Sequence, residues 1–179
     1  IDSLKLIPNF EIIDFVIEHG YRMGRIGVQS HQILIDEVNI YKWLDQEYYH
    51  LPKVYIGGMD LNIESDRRFR RQPKRKLTPP ELMAKLSPLL RVDSLWIRSG
   101  IIEYHEKVES RGPKGYFFLD EVEALLTNLC NDPSHLIVNP NARLQVEGNI
   151  MGEGMVDLTV QYPLNDSSHS YSMEGRMDG

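Results

Sequence analysis

Three consecutive stretches near the end of the chain alternate apolar and polar residues with period two, and this pattern restricts the fold more than any other feature. Ala142, Leu144, Val146, Gly148 and Ile150 alternate with Arg143, Gln145, Glu147 and Asn149. Beyond Gly152-Glu153-Gly154, Val156, Leu158, Val160 and Tyr162 alternate with Asp157, Thr159 and Gln161. Beyond a turn region opening at Pro163, Tyr171, Met173, Gly175 and Met177 alternate with Ser172, Glu174 and Arg176. Successive side chains of a strand point to opposite faces, so each run predicts a strand with one apolar side, and the short turns predict an antiparallel meander.

Two further strands are expected upstream with a change of phase inside each. From Val92 to Glu106, Leu95 and Ile97 share one parity and Ile102 and Tyr104 the other, with Gly100 at the switch. A bulge there returns all four side chains to one face. Tyr116 to Leu129 switches between Leu119 and Val122, which predicts a second bulge near Asp120. Asn131 to Asn141 reads as a loop.

The N-terminal half is more mixed. Leu4 and Leu6 suggest a short strand ending at Pro8, and Phe10 to His19 reads as a helix with Asn9 as N-cap and Gly20 just past its end. Strands are expected over Arg25 to Val38 and Leu51 to Glu64, with one or two helical turns over Ile40 to Tyr49. Thr78-Pro79-Pro80-Glu81 opens a short helix through Leu86, with Thr78 as cap. Val54-Tyr55-Ile56-Gly57-Gly58, followed by Leu61 and Ile63, is echoed by Leu95-Trp96-Ile97-Arg98-Ser99, followed by Ile102 and Tyr104, which suggests repetition of a β unit. The expected architecture is mainly β: a long twisted antiparallel meander sheet with bulges, curled into a groove or half barrel, plus two or three short helices. Its expected sections are a β module with a short helix (1–66), a basic linker with a short helix (67–90) and the meander (91–179).

Chemistry-bearing patterns are sparse. The six histidines, at 19, 31, 50, 105, 135 and 169, never take the His-x-x-x-His spacing of a helical zinc site, and no metal or cofactor is expected. Asp120, Glu121 and Glu123 have no evident acid–base partner and read as a solvated strand edge. Cys130 is the single cysteine, which excludes a disulfide-stapled scaffold. A net charge of -6 argues against a general nucleic-acid binder. One basic stretch runs against that balance: Arg67, Arg68, Arg70, Arg71, Lys74, Arg75 and Lys76, read as a solvated linker or as a contact for anionic lipid head groups.

The apolar strand sides offer the sharper functional expectation. Too few helices are available to cover so much sheet, so Leu95, Ile97, Ile102, Tyr104, Leu144, Val146, Ile150, Val156, Leu158, Val160, Tyr171 and Met173 are the candidate lining of a lipid-facing groove. A second sheet burying these side chains, as in a sandwich, is the competing expectation.

The stretch Leu89-Leu90-Arg91-Val92-Asp93-Ser94-Leu95-Trp96-Ile97-Arg98-Ser99-Gly100-Ile101-Ile102-Glu103-Tyr104 resembles a signature strand of AsmA-like proteins, particularly those of Bacteroidota. Thr127-Asn128-Leu129-Cys130-Asn131-Asp132-Pro133, Gly148-Asn149-Ile150-Met151-Gly152-Glu153-Gly154 and Tyr162-Pro163-Leu164 are similar to the same family, as are Val54 to Ile63 with Asp66-Arg67-Arg68. The resemblance implies membership of the repeating-β-groove group that includes TamB-like proteins, a non-catalytic role in lipid transport or outer-membrane biogenesis, and a periplasmic address. It also implies an inner-membrane anchor outside this segment, since the chain contains no apolar run of about 20 residues. The expected partners are phospholipid acyl chains and other envelope proteins. The alternative is a structural or partner-binding β module of the envelope that takes no lipid.

Overall fold

The computed structural model describes residues 1–9, 11–22, 24–39, 41, 48–70, 79–86, 88–108, 112–165 and 170–179. The elements are β1 (Leu4–Leu6), α1 (Ile12–His19), β2 (Arg25–Asp36), β3 (Tyr48–Asp66), α2 (Pro79–Met83), β4 (Leu89–Lys107), β5 (Gly115–Cys130), α3 (Pro133–Leu136), β6 (Asn141–Ile150), β7 (Gly154–Pro163) and β8 (Ser172–Asp178). Among the described residues the eight strands form one sheet in chain order, and the sheet does not close into a barrel.

Neighbouring strands are antiparallel throughout except at β3 and β4, which run parallel. A parallel pair needs a crossover of a dozen residues or more, and residues 67–88 supply it. The expectation of an antiparallel meander therefore holds on either side of this junction and fails at it. The internal echo has a physical meaning here: Val54 lies beside Leu95, Ile56 beside Ile97, Leu61 beside Ile102 and Ile63 beside Tyr104. The two similar segments are lateral neighbours in one sheet.

Both expected bulges are present. Ser99 has φ 53° and the β4–β5 register shifts around Gly100, while Glu121 has φ 49° and the β5–β6 register shifts between Asp120 and Glu123. Gly58 makes the equivalent feature in β3, at φ 59°. Glycine suits this left-handed position, where an added Cβ would crowd the His31 side chain at 3.2 Å from its Cβ.

Several boundaries differ from expectation. Tyr48 and Tyr49 belong to β3 rather than to a helical turn, since Leu89 and Leu90 of β4 give them ladder partners; the rest of that stretch, 40 and 42–47, lies outside the described residues. β4 and β5 each run slightly longer than expected, whereas β2 ends at Asp36 because Glu37 turns to φ 61°. The N-cap of α1 is Glu11 rather than Asn9: Glu11 itself has extended backbone, and its side chain makes no capping bond. Gly20 ends it at φ 73°, donating its N–H to Val16 and Ile17 carbonyls. Phe10 and Thr78 lie outside the described residues.

The expected loop from Asn131 to Asn141 contains the single turn α3, whose N-cap Asp132 accepts the Ser134 N–H at 2.9 Å. Asn131 ties the crossover to the sheet. Its Oδ1 accepts the Leu90 N–H, and its Nδ2 stands 3.2, 3.2 and 3.3 Å from the carbonyl oxygens of Met83, Leu86 and Pro88.

Among the described residues the buried core is thin and made of small side chains: Val16, Val54, Val92, Val122, Ala124, Cys130, Ala142 and Val160, with Met83 the largest. One sheet with helices this short cannot enclose more.

Candidate functional site

The face assignment starts at β6 and β7, where pairing is regular from Asn141–Pro163 to Ile150–Gly154. Leu144, Val146 and Ile150 therefore share a face with one another and with Val160 and Leu158 opposite them. β8 extends it, since Val160 pairs with Met173 and Val156 with Met177. Tyr171 follows the parity of Met173, and its ring lies 5.7 Å from that of Tyr162.

In the other direction the face crosses the bulges intact. Leu126 pairs with Leu144 and Ala124 with Val146 on one side of the β5 bulge, and Leu119 with Ile150 on the other. Leu95 pairs with Leu126, Ile97 with Ala124, Ile102 with Leu119 and Tyr104 with Phe117. All twelve residues singled out from the sequence thus lie on one side of one sheet. The bulges are the reason, for without them Leu95 and Ile102 would face opposite ways.

The same ladder adds residues that the candidate lining omitted. β5 contributes Phe117, Leu119, Val122, Ala124 and Leu126, and β3 contributes Val54, Ile56, Leu61 and Ile63. β2 continues with Ile33 and Ile35 beside Ile56 and Val54, and with Ile26 and Val28 beside Ile63 and Leu61. Met177 closes the series on β8. The echo between β3 and β4 was the available signal for the β3 residues, and the phase switch near Asp120 was the signal for those of β5.

Exposure varies across the face. Val122 and Val160 are buried by their neighbours, Leu95, Ile97, Leu144, Val146, Val156 and Leu158 are half-buried, and Tyr171, Met173 and Met177 are 56%, 61% and 67% exposed. Among the described residues no second sheet lies over it, and the one helix closely applied to a strand is α1, against β3. The opposite face is mostly polar and cross-linked. Arg25 reaches Glu64 at 2.8 Å, Asn62 reaches Glu103 at 3.1 Å, and the Tyr116 hydroxyl donates to Glu103 at 2.9 Å. Apolar rows occur on that side as well: Leu34, Tyr55, Trp96 and Leu125, and Leu51, Val92 and Leu129, of which Val92 is buried.

Charged clusters stand near both ends of the β3–β4 pair. At one end the Tyr104 hydroxyl donates to Glu106 at 2.7 Å and Arg67 donates to the same carboxylate at 2.6 Å. The Tyr104 bond and the Arg67 charge hold the Glu106 carboxyl below its ordinary range despite some burial. Buried Asp66 is held low chiefly by hydrogen bonds from Arg68, whose Nε stands 2.8 Å from Oδ1. Two cations of the basic stretch are therefore matched by carboxylates at its root. Arg70 is exposed, and Arg71, Lys74, Arg75 and Lys76 lie outside the described residues. At the other end Asp93 accepts from His50 at 2.7 Å and Arg91 at 2.6 Å. Burial would raise the Asp93 carboxyl, but those two bonds outweigh it and leave it low.

In the acidic group beside the β5 bulge, Glu121 and Glu123 are solvent-exposed, as expected, and they also fasten strands together. Glu123 accepts the N–H of Ser99 at 2.9 Å and Glu121 accepts from Asn149 at 2.8 Å, while Asp120 Oδ1 is buried without a partner. Cys130 is buried, and burial pushes its thiol up, away from the reactive thiolate. Among the described residues no three His, Cys, Asp or Glu side chains converge as a metal site, and no helix is long and apolar enough to cross a membrane.

No protein-family model matches the chain, and the curated proteins contain no match to it.

Proposed function

We propose that this chain is a non-catalytic, periplasmic segment of an AsmA-like envelope protein that supports lipid transport or outer-membrane biogenesis by lodging acyl chains on its apolar sheet face. The observation that supports the reading is the continuity of that face from β2 to β8, with central side chains half exposed and no second layer among the described residues. Leaving so much apolar surface open is costly in water, and a guest hydrocarbon removes the cost without any chemistry. The face is covered from below only, so each methylene of a guest gains about half of the full ~0.8 kcal/mol, or ~0.4 kcal/mol. Two added methylenes then tighten binding about fourfold. The basic composition of residues 67–76, which begin with Arg67 beside Glu106 and Arg68 beside Asp66, supports a contact with anionic head groups.

Titration with parinaric acid, whose fluorescence rises in an apolar site, tests the reading. The unaltered chain is expected to bind, and Leu158→Asp, which sets a charge amid the half-buried residues, to weaken binding at least about tenfold. Thr159→Asp, on the polar face, is the control. An unaltered chain that takes up no probe, or a Leu158→Asp chain that binds as well as the control, removes the basis for the proposal and leaves the partner-binding module.

A further inference from the structure

A polar hollow stands at one end of the apolar face. From Arg91 to Ile97 the β4–β5 register is regular, so Arg91 and Asp93 share the face of Leu95 and Ile97. There the loop between β5 and β6 bounds an open cavity of about 410 Å³, whose lining includes Arg91, Asp93, Asn128, His135, Asn139 and Asn141. Asn128, at φ 56°, holds the loop in place. Its Nδ2 donates to the carbonyls of Asn139 and Asn141 at 2.9 and 2.8 Å, and its Oδ1 lies 2.8 Å from His135 Nε2. Both amide hydrogens are spent on carbonyls, so Oδ1 accepts and the His135 proton sits on Nε2. The carboxylate of the lining is spent as well: Asp93 accepts from Arg91 Nε at 2.6 Å and from His50 Nε2 at 2.7 Å. The Arg91 guanidinium also meets the Tyr48 hydroxyl and still has N–H groups to give. Asn139 and Asn141 are exposed, and their side-chain amides bond to no other described residue. A hollow whose acid is satisfied, and whose cation with capacity left can only donate, suits a ligand that accepts.

We propose that this hollow binds the phosphate group of a small phosphoester, with Arg91 and the amides of Asn139 and Asn141 as its donors. A guanidinium fork matches phosphate oxygens in geometry and charge. The volume exceeds what a bare phosphate fills and leaves space for a substituent the size of glycerol. A soluble phosphoester and the head group of a lipid offer the same chemistry. The lipid source rests on the acyl-chain reading above, since Asp93 is one step from Leu95 along the same face. The soluble source does not rest on it.

Titration with glycerol 1-phosphate, followed by the backbone amide resonances of Asp93 and Asn139, tests the site. The unaltered chain is expected to saturate with a Kd of about 1 mM or tighter. Asn139→Asp sets a carboxylate at the exposed rim without touching the core and is expected to weaken binding at least about fivefold. Arg91→Gln removes the cation and is expected to weaken it at least about tenfold. Gln145→Glu makes the same charge change as Asn139→Asp on the opposite face and is expected to alter binding by less than about twofold. Dihexanoyl phosphatidylglycerol separates the sources: affinity about tenfold or more above that of glycerol phosphate marks a head-group site, and no gain marks a soluble phosphoester. A chain that takes glycerol phosphate but no parinaric acid keeps this site and loses the acyl-chain reading. An absence of binding up to about 10 mM, or equal weakening by Asn139→Asp and Gln145→Glu, overturns the proposal.

Discussion

Val122 is expected to be the most sensitive single side chain in the sheet, for reasons set by its neighbours. It is 1% exposed and sits at the β5 bulge between Gly100 of β4 and Gly148 of β6. A Cβ added at Gly100 would stand 3.3 Å from the Val122 Cβ, and one added at Gly148 would stand 3.3 Å from its Cγ2. One valine thus fills space that two glycines leave. Val122→Ala deletes two methyl groups, worth about 1.6 kcal/mol at ~0.8 kcal/mol each. The flanking glycines have no side chains to lean into the gap, so a cavity term adds about 1 kcal/mol, for a total near 2.5 kcal/mol. With a urea slope of ~2 kcal/mol per M, the midpoint should fall by about 1.2 M. Gly148→Ala should be costly in the parent and cheaper by about 0.5–1 kcal/mol in the Val122→Ala background, because the clashing methyl is gone. A midpoint shift under about 0.3 M, or strictly additive losses in the double variant, would refute the wedge and with it the account of how the bulge is packed.

Two other expectations concern the ends of the sheet. Asp66 is held low by Arg68, so its contribution is present above the ordinary carboxyl range near pH 4 and lost as pH falls through its depressed native value. Asp66→Asn should therefore lower stability at pH 7 and flatten its decline in acid, as followed by urea midpoints from pH 7 to pH 3; an unchanged acid slope would count against the pairing. Asn131→Ala removes the side-chain bonds to Leu90, Met83, Leu86 and Pro88 and is expected to cost about 2–3 kcal/mol, with hydrogen exchange quickening first at Leu90. Exchange that accelerates uniformly over all strands would contradict a local anchor.

The regular strands were the readable ones. β6, β7 and β8 keep strict alternation because nothing interrupts their pairing, and residue parity alone gave their shared face. In β4 and β5 the phase changes themselves were the signal, and they located both bulges within a residue or two. The direction of the β3–β4 pair was not legible, since parallel and antiparallel partners need the same alternation and only the crossover separates them. Tyr48 and Tyr49 were misread for a related reason: their strand character comes from Leu89 and Leu90, some forty residues away. Glu121 and Glu123 are solvated, as their sequence suggested, but nothing local reveals that Glu123 also meets the backbone of β4. The candidate groove was recovered on β4, β6, β7 and β8 and left out β5, although the bulge there had been located.

The matched irregularities of β3 and β4 also settle how these strands can align. Two uniformly alternating strands can slide by two residues and still present the same faces, leaving several alignments close in energy. Here the partner of each residue stands 41 places further along, as Asn62 does from Glu103, and the left-handed kinks at Gly58 and Ser99 keep that same spacing. Any slip sets a kink against straight backbone, so the pair works like a notched rule that seats at one mark. β6 and β7 have no such notch, and their alignment depends on the short hairpin turn at Met151–Glu153.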